Sequence, residues 1–252
     1  MPRYFLELSY KGTLYSGFQK QDNANSVQEE IEKAFAIYFR QPVEMTGSSR
    51  TDTGVHAMQN FFHFDLDGAI STKFLYNINS ILPRDIAVKN IYPIKEDAHC
   101  RFDAISREYH YFVYRTKNPF IEDRAYYFPY TLDMEAMSEA AQILFRHIDF
   151  TSFSKRNTQV KTFDCTIKKS KWVMQDDCLV YQVEANRFLR GMVRGLVGTM
   201  LHVGRGKTSL DDFEKIIHGK DASKADFSVP GHGLFLMAVN YRDGFLINPN
   251  TL

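Results

Sequence analysis

The strongest constraint on how this chain can fold is a change of hydrophobic period that occurs twice along it. Tyr4, Leu6, Leu8 and Tyr10 fall on every second residue, opposite Glu7 and Ser9, which is the pattern of a strand with one buried face. At Ser26-Val27-Gln28-Glu29 the sequence then offers a capping box. Val27, Ile31, Ala34, Phe35 and Tyr38 follow at helical spacing, so residues 27–40 are predicted helical, with Gln41-Pro42 as the stop. Strand patterns at 60–65 and 86–94 flank a short helix capped by Ser71 and containing Phe74, Leu75 and Ile78, which gives the order β-α-β-α-β. After a polar stretch over 95–106 the pattern restarts with alternation from Glu108 to Arg115. A helix containing Met134, Met137, Ala141 and Leu144 comes next, then strands over 163–174 and 178–185. A long helix over 187–203, a short one over 211–218 and a strand over 234–241 close the chain. Two successive mixed units predict an α+β fold of two ferredoxin-like halves, 1–105 and 106–252, although no sequence repeat relates them.

Composition narrows the class. The 252 residues are 44% hydrophobic and 24% charged, enough for one large domain or two ordinary ones, and no segment is low-complexity. Collagen-like, mucin-like and broadly disordered chains are thereby excluded. No run of about 18 apolar residues occurs. Met1-Pro2-Arg3-Tyr4-Phe5-Leu6-Glu7 meets an acid before a signal-peptide apolar region could form, so a cytoplasmic protein without a membrane partner is expected. Cys100, Cys165 and Cys178 are odd in number and far apart, which suits buried, reduced thiols better than disulfides or a C-x-x-C zinc site. The histidines lack zinc-site spacing, and no phosphate-cradling glycine motif follows a strand. No metal or nucleotide cofactor is indicated.

The formal net charge of +1 conceals an uneven distribution. Residues 1–105 carry 11 Lys/Arg against 13 Asp/Glu, whereas residues 150–207 carry 11 against four. Such a run is either a solvated face or a surface for polyanions.

The densest cluster of chemically special residues is Gly47-Ser48-Ser49-Arg50-Thr51-Asp52-Thr53-Gly54-Val55-His56-Ala57. Glycines allow turns and close approach, and Ser, Thr and Asp can lock a loop through local hydrogen bonds. Asp52 between Arg50 and Gly54 suits a nucleophile or general base, but an Asp in a Ser/Thr/Gly loop more often only organises the turn, here with Arg50 and His56 solvated. Asp52-Thr53-Gly54 also matches the core of an aspartic-protease motif, but the second copy needed for a paired-carboxylate site is missing, so that reading is weak. On the helix predicted at 187–203, Arg187, Arg190 and Arg194 share one face with Gly191, Gly195 and Gly198, and Leu189, Met192, Val193, Leu196 and Met200 take the other. The arginines suit phosphate or carboxylate partners, while packing accounts best for Gly195 and Gly198. Tyr109 to Tyr114 interleaves aromatic residues with His110, a pattern used by base-stacking strands and, more commonly, by cores.

Arg50-Thr51-Asp52-Thr53-Gly54-Val55-His56-Ala57 resembles the catalytic loop of TruA-type tRNA pseudouridine synthases, usually written R-T-D-A-G-V-H. Further blocks resemble the family in order: Tyr10-Lys11-Gly12, Tyr15 to Gln21, Ser26 to Gln28, Leu82 to Val88, His99 to Ala104, Asp149 to Phe153, Asn186 to Gly204, and Gly233 to Leu236. The resemblance implies a cofactor-free isomerase converting uridines 38, 39 and 40 of the tRNA anticodon stem-loop to pseudouridine. It further implies two ferredoxin-like (RRM-like) halves sharing a mainly antiparallel sheet with helices on one side, in a homodimer. By the same resemblance Asp52 is the catalytic aspartate, Tyr109 the active-site tyrosine that packs on the base, and Arg194 the arginine paired with the aspartate. Arg50 matches a residue linked to holding the target nucleotide and Leu234 a leucine near the base pocket; Arg187 and Arg190, from their own position beside Arg194, are expected to bind phosphates of the substrate. Phe18, Ser49, Thr53 and Gly191 depart from the usual Trp, Gly, Ala and His. The competing readings are a non-catalytic RNA-binding module and a divergent paralogue with another RNA target.

Overall fold

The computed structural model describes residues 1–68, 70–156 and 160–246. The chain runs β1 (Arg3–Tyr10), α1 (Val27–Phe39), β2 (Thr46–Gly47), β3 (His56–Asp65), α2 (Phe74–Ile81) and β4 (Ile86–Ile94). It continues through β5 (Ser106–Tyr114), β6 (Tyr126–Tyr127), α3 (Met134–Ile143), β7 (Ile167–Gln175), β8 (Cys178–Ala185), α4 (Met192–Gly204), α5 (Leu210–Gly219) and β9 (Leu234–Asn240). The result is a mixed α+β protein with mainly antiparallel strand pairing. Its two compact units are Met1–Ile105 together with the chain from Leu236, and Ser106–Phe235. The division differs from a simple split at residue 105, because the end of the chain returns to the first unit.

In the first unit the strands lie in the order β4-β1-β3-β9. β1 is antiparallel to both β3 and β4, with Leu6 opposite Phe62 and Ile91. This central place explains a departure from the expected alternation. Phe5 and Glu7, assigned to the polar face or left out of the apolar one, are buried together with Leu6 and Leu8. Phe5 is covered by Tyr241 and Phe245, and the Glu7 carboxylate accepts hydrogen bonds from Gln59, Asn90 and Tyr92 at 2.8–2.9 Å. Burial raises the Glu7 pKa, but the three donors outweigh it and hold the group below its ordinary value. In α1, Ser26 Oγ accepts from the Glu29 amide as the capping box requires, and Arg40 in the left-handed region (φ 56°) ends the helix. Ser71 does not cap α2 directly. It lies two residues before the cap Lys73, accepting that residue's amide on its hydroxyl and the Phe74 amide on its carbonyl.

The second unit orders its strands β5-β8-β7, all antiparallel, with the short β6 parallel to β5. Asp176 (φ 47°) and Asp177 (φ 62°) both take left-handed backbone, the two-residue turn that matches the twist of a tight hairpin. β7 starts at Ile167 rather than 163, because Asp164 forms an isolated bridge with Asp149 and the Cys165 amide donates to the Ile148 carbonyl. The helix expected over 187–203 begins only at Met192. Gly191 stands at its N-cap with φ 74°, so Arg187 and Arg190 lie on the non-helical approach and do not share a helical face with Arg194. The bare cationic face expected there is absent as well. α4 is buried around nearly its whole circumference, the signature of a core helix. Gly195 and Gly198 do serve packing: a Cβ at Gly195 would meet the Phe227 ring at 2.8 Å, and one at Gly198 would overlap the Asp226 carbonyl oxygen.

Candidate active site

The segment from Ser48 to Val55 is held from below by the chain between Tyr10 and Phe18. The Phe18 amide donates to the Thr51 carbonyl (3.1 Å), the Gly54 amide to the Tyr15 carbonyl (3.3 Å), and the Val55 amide closes a turn onto the Asp52 carbonyl (3.2 Å). The backbone at Gly12 packs so closely that a Cβ there would overlap the Val55 carbonyl oxygen, and its amide donates to His56 Nδ1 at 3.0 Å. His56 is therefore buried and engaged, not solvated. Polar side chains complete the frame. Tyr10 Oη and Thr51 Oγ1 share a hydrogen bond at 2.8 Å, and the Asn60 amide nitrogen donates to Tyr10 Oη (3.3 Å) and the Ser49 carbonyl (3.0 Å). Ser48 Oγ donates to Asn60 Oδ1 at 2.8 Å. Tyr15, whose hydroxyl donates to Asp85 Oδ1 at 2.7 Å, ties the supporting segment to the start of β4; burial first and this acceptor second push its pKa up. The outcome is a loop whose backbone is fixed while Asp52 is half-buried at its crest and Arg50 is exposed beside it. A carboxylate on such a frame keeps a set direction without reorganisation, which a nucleophile or base requires.

The other predicted residues belong to the second unit. Tyr109, buried on β5 opposite Val183, has its ring edge-on to Phe188 with centroids 5.1 Å apart. Arg194, in the first turn of α4, is oriented by two backbone carbonyls: Nε donates to Val229 (2.7 Å) and a terminal nitrogen to Phe227 (3.3 Å). Leu234 is buried at the first position of β9. Arg187 is partly exposed and Arg190 exposed, and the Arg190 carbonyl receives the Lys155 amide at 2.9 Å. Within the basic run at 155–171, residues 157–159 lie outside the described residues.

Sequence reading assigned no role to the supports of the loop, Tyr10, Gly12, Tyr15, Asn60 and Asp85, because they come together with it only through folding. Two side-chain groupings were also missed. His63, His99 and Cys100 converge, with His63 Nδ1 3.2 Å from Cys100 Sγ, as do His147, Glu214 and His218. In the sequence only the adjacency of His99 and Cys100 and the i,i+4 spacing of Glu214 and His218 were visible. The three cysteines are buried thiols outside any disulfide, as expected, and burial pushes the Cys165 thiol up to about 11.

The sequence profile of the tRNA pseudouridine synthases matches residues 8–103 and 140–242, which contain Arg50, Asp52, Arg187, Arg190, Arg194 and Leu234 but not Tyr109. The chain belongs to the tRNA pseudouridine synthase family. Among its relatives are proteins named tRNA pseudouridine synthase A from Parabacteroides distasonis, 48% identical over 243 residues with 96% of both chains covered, and from Porphyromonas gingivalis, 48% identical over 246 residues with 96% and 98% covered. A protein of the same name from Bacillus subtilis is 39% identical over 239 residues, with 93% and 97% covered. The family assignment disposes of the protease reading of Asp52-Thr53-Gly54. No helix among the described residues of this tRNA pseudouridine synthase family member is long and apolar enough to cross a membrane.

Proposed function

We propose that this chain is a tRNA pseudouridine synthase that isomerises uridine at positions 38–40 of the anticodon stem-loop, working in the cytoplasm as a homodimer of two-part, ferredoxin-like subunits. The observation that carries the reading is the Arg50-Thr51-Asp52-Thr53-Gly54 loop, rigidly framed, within a family match over residues 8–103 and 140–242. The reaction breaks the N1–C1′ bond of uridine, turns the base and joins C5 to C1′. One proton leaves C5 and one is taken up at N1, so no electrons are exchanged with a second reactant. A base inside a stem must first be extruded, which makes the roles of the side chains specific. Asp52 is the carboxylate that attacks or deprotonates the substrate, Tyr109 packs against the extruded base, and Leu234 supports the pocket. Arg194 serves the Asp52 carboxylate. Arg50, Arg187 and Arg190 contact the RNA, and the excess of basic residues over 150–207 supports a polyanionic partner.

The test is product formation. Wild type and Asp52→Asn are incubated with unmodified tRNA and pseudouridine is mapped by mass spectrometry. Wild type should modify positions 38–40, and the variant should lose on the order of 10³-fold or more in turnover while still shifting tRNA in a gel. A wild type that binds tRNA without altering any uridine would establish the binding-module reading, and full activity of Asp52→Asn would remove Asp52 from the chemistry. Arg190→Gln should flatten the dependence of log affinity on log salt by about 0.7–0.9, as for one lost phosphate contact. Arg194→Gln should instead depress turnover at saturating tRNA.

A further inference from the structure

We propose that His147, Glu214 and His218 form a surface site for one divalent transition-metal ion of the zinc type in the second unit, separate from every residue assigned above to uridine chemistry. One imidazole nitrogen from each histidine and one carboxylate oxygen lie within 4.8 Å of one another. Glu214 and His218 are one turn apart on α5, so their side chains leave the same face of the helix. His147 follows the 3-10 turn Leu144–Arg146 and meets them from a different part of the chain. Its Nε2 is 3.1 Å from Glu214 Oε1, and its ring stands edge-on to that of His218 with centroids 4.8 Å apart.

Two imidazoles and a carboxylate form a donor set of intermediate softness. It suits Zn²⁺, for which three protein ligands leave a fourth position to water. Tetrahedral Zn²⁺ with bonds of about 2.0–2.2 Å places neighbouring donors roughly 3.3–3.5 Å apart, so small side-chain rotations complete the site. His218 is exposed, which gives an ion access from solvent. Two residues beyond it, Lys220 is paired with Asp149 at 2.7 Å, so that cation is already compensated. The grouping of His63, His99 and Cys100 is a poorer acceptor. The Cys100 thiol donates to the Thr46 carbonyl at 3.1 Å, and His63 feels the Arg3 guanidinium. An ion at the first site would fasten α5 to the segment after α3, and its binding would appear as added stability.

The experiment uses the full chain stripped with a chelator, Zn²⁺ titrated in competition with a chromophoric indicator, and Co²⁺ as a spectroscopic substitute. The expected result is one equivalent of Zn²⁺ bound at micromolar Kd or tighter, visible absorption of low-symmetry Co²⁺, and a rise in Tm with Zn²⁺. His218→Ala and Glu214→Gln should each weaken binding at least tenfold and abolish the Tm shift, and Cys100→Ser should change neither. Binding no tighter than millimolar, binding unaffected by His218→Ala, or binding lost in Cys100→Ser would each overturn the proposal. His218 is exposed, so its substitution leaves the fold intact and the outcome readable.

Discussion

His63 shows how a single buried side chain reaches into the behaviour of the whole protein. It sits on β3 against Phe5, His99 and Cys100, and burial, helped by His99 and the Arg3 guanidinium, pushes its pKa down to about 4. The unfolded chain takes up that proton near the ordinary value of about 6.5, so between these limits the unfolded state holds more protons than the native one. Stability must therefore fall as pH drops from about 6.5 to 4, with a slope of up to about 1.4 kcal/mol per pH unit from this group. Urea midpoints of wild type measured across that window should fall more steeply than those of His63→Gln, and parallel profiles would show that His63 is not the titrating group. Nothing in the sequence marks His63 for this role, since its environment comes from β3 pairing and from residues near 100. Asp52 is the opposite case. Its loop stood out as a candidate because glycine, serine, threonine, arginine and carboxylate types crowd into eight consecutive positions, Gly47 to Gly54, a density that cores do not need.

At the scale of elements, periodicity located the strands and helices, and errors arose where one glycine or one neighbour overrode it. The apolar stripe over 187–203 is continuous in sequence, but left-handed Gly191 delays α4 to Met192 and removes Arg187 and Arg190 from it. The close approach of α4 to the segment at 226–227 gives a prediction. That segment and Val229 also hold the Arg194 guanidinium, so Gly198→Ala, whose methyl would press on the Asp226 backbone, should cost about 1–3 kcal/mol and also lower turnover. Gly219, the last residue of α5, has nothing within 4 Å of an added Cβ, and Gly219→Ala should stabilise by up to about 1 kcal/mol. Chemical denaturation of the two variants should move in opposite directions. A stabilising shift in both would mean that Gly198 tolerates a methyl group, and a destabilising shift in both that Gly219 does not.

For the whole molecule, sequence patterns placed the division near residue 105 but not the return of the C-terminal strand, because an isolated strand pattern carries no record of its partner. Leu236 and Val239 are buried in the first unit, the Val239 amide donates to Gln59 Oε1 at 3.1 Å, and Tyr241 packs edge-on to Phe61. A chain ended after Phe235 should consequently lose cooperative unfolding and become protease-sensitive in residues 1–105, although every residue removed is far away in sequence. Intact protection of that segment by limited proteolysis would show that β9 is dispensable. The same arrangement orders events during synthesis. The 130 residues from Ser106 to Phe235 must leave the ribosome before the first unit can receive its last strand. At ordinary translation speeds that is a wait on the order of ten seconds. The half carrying Asp52 thus emerges first yet is finished last, and for that interval the nascent chain exposes an unpaired strand edge that chaperones are suited to cover.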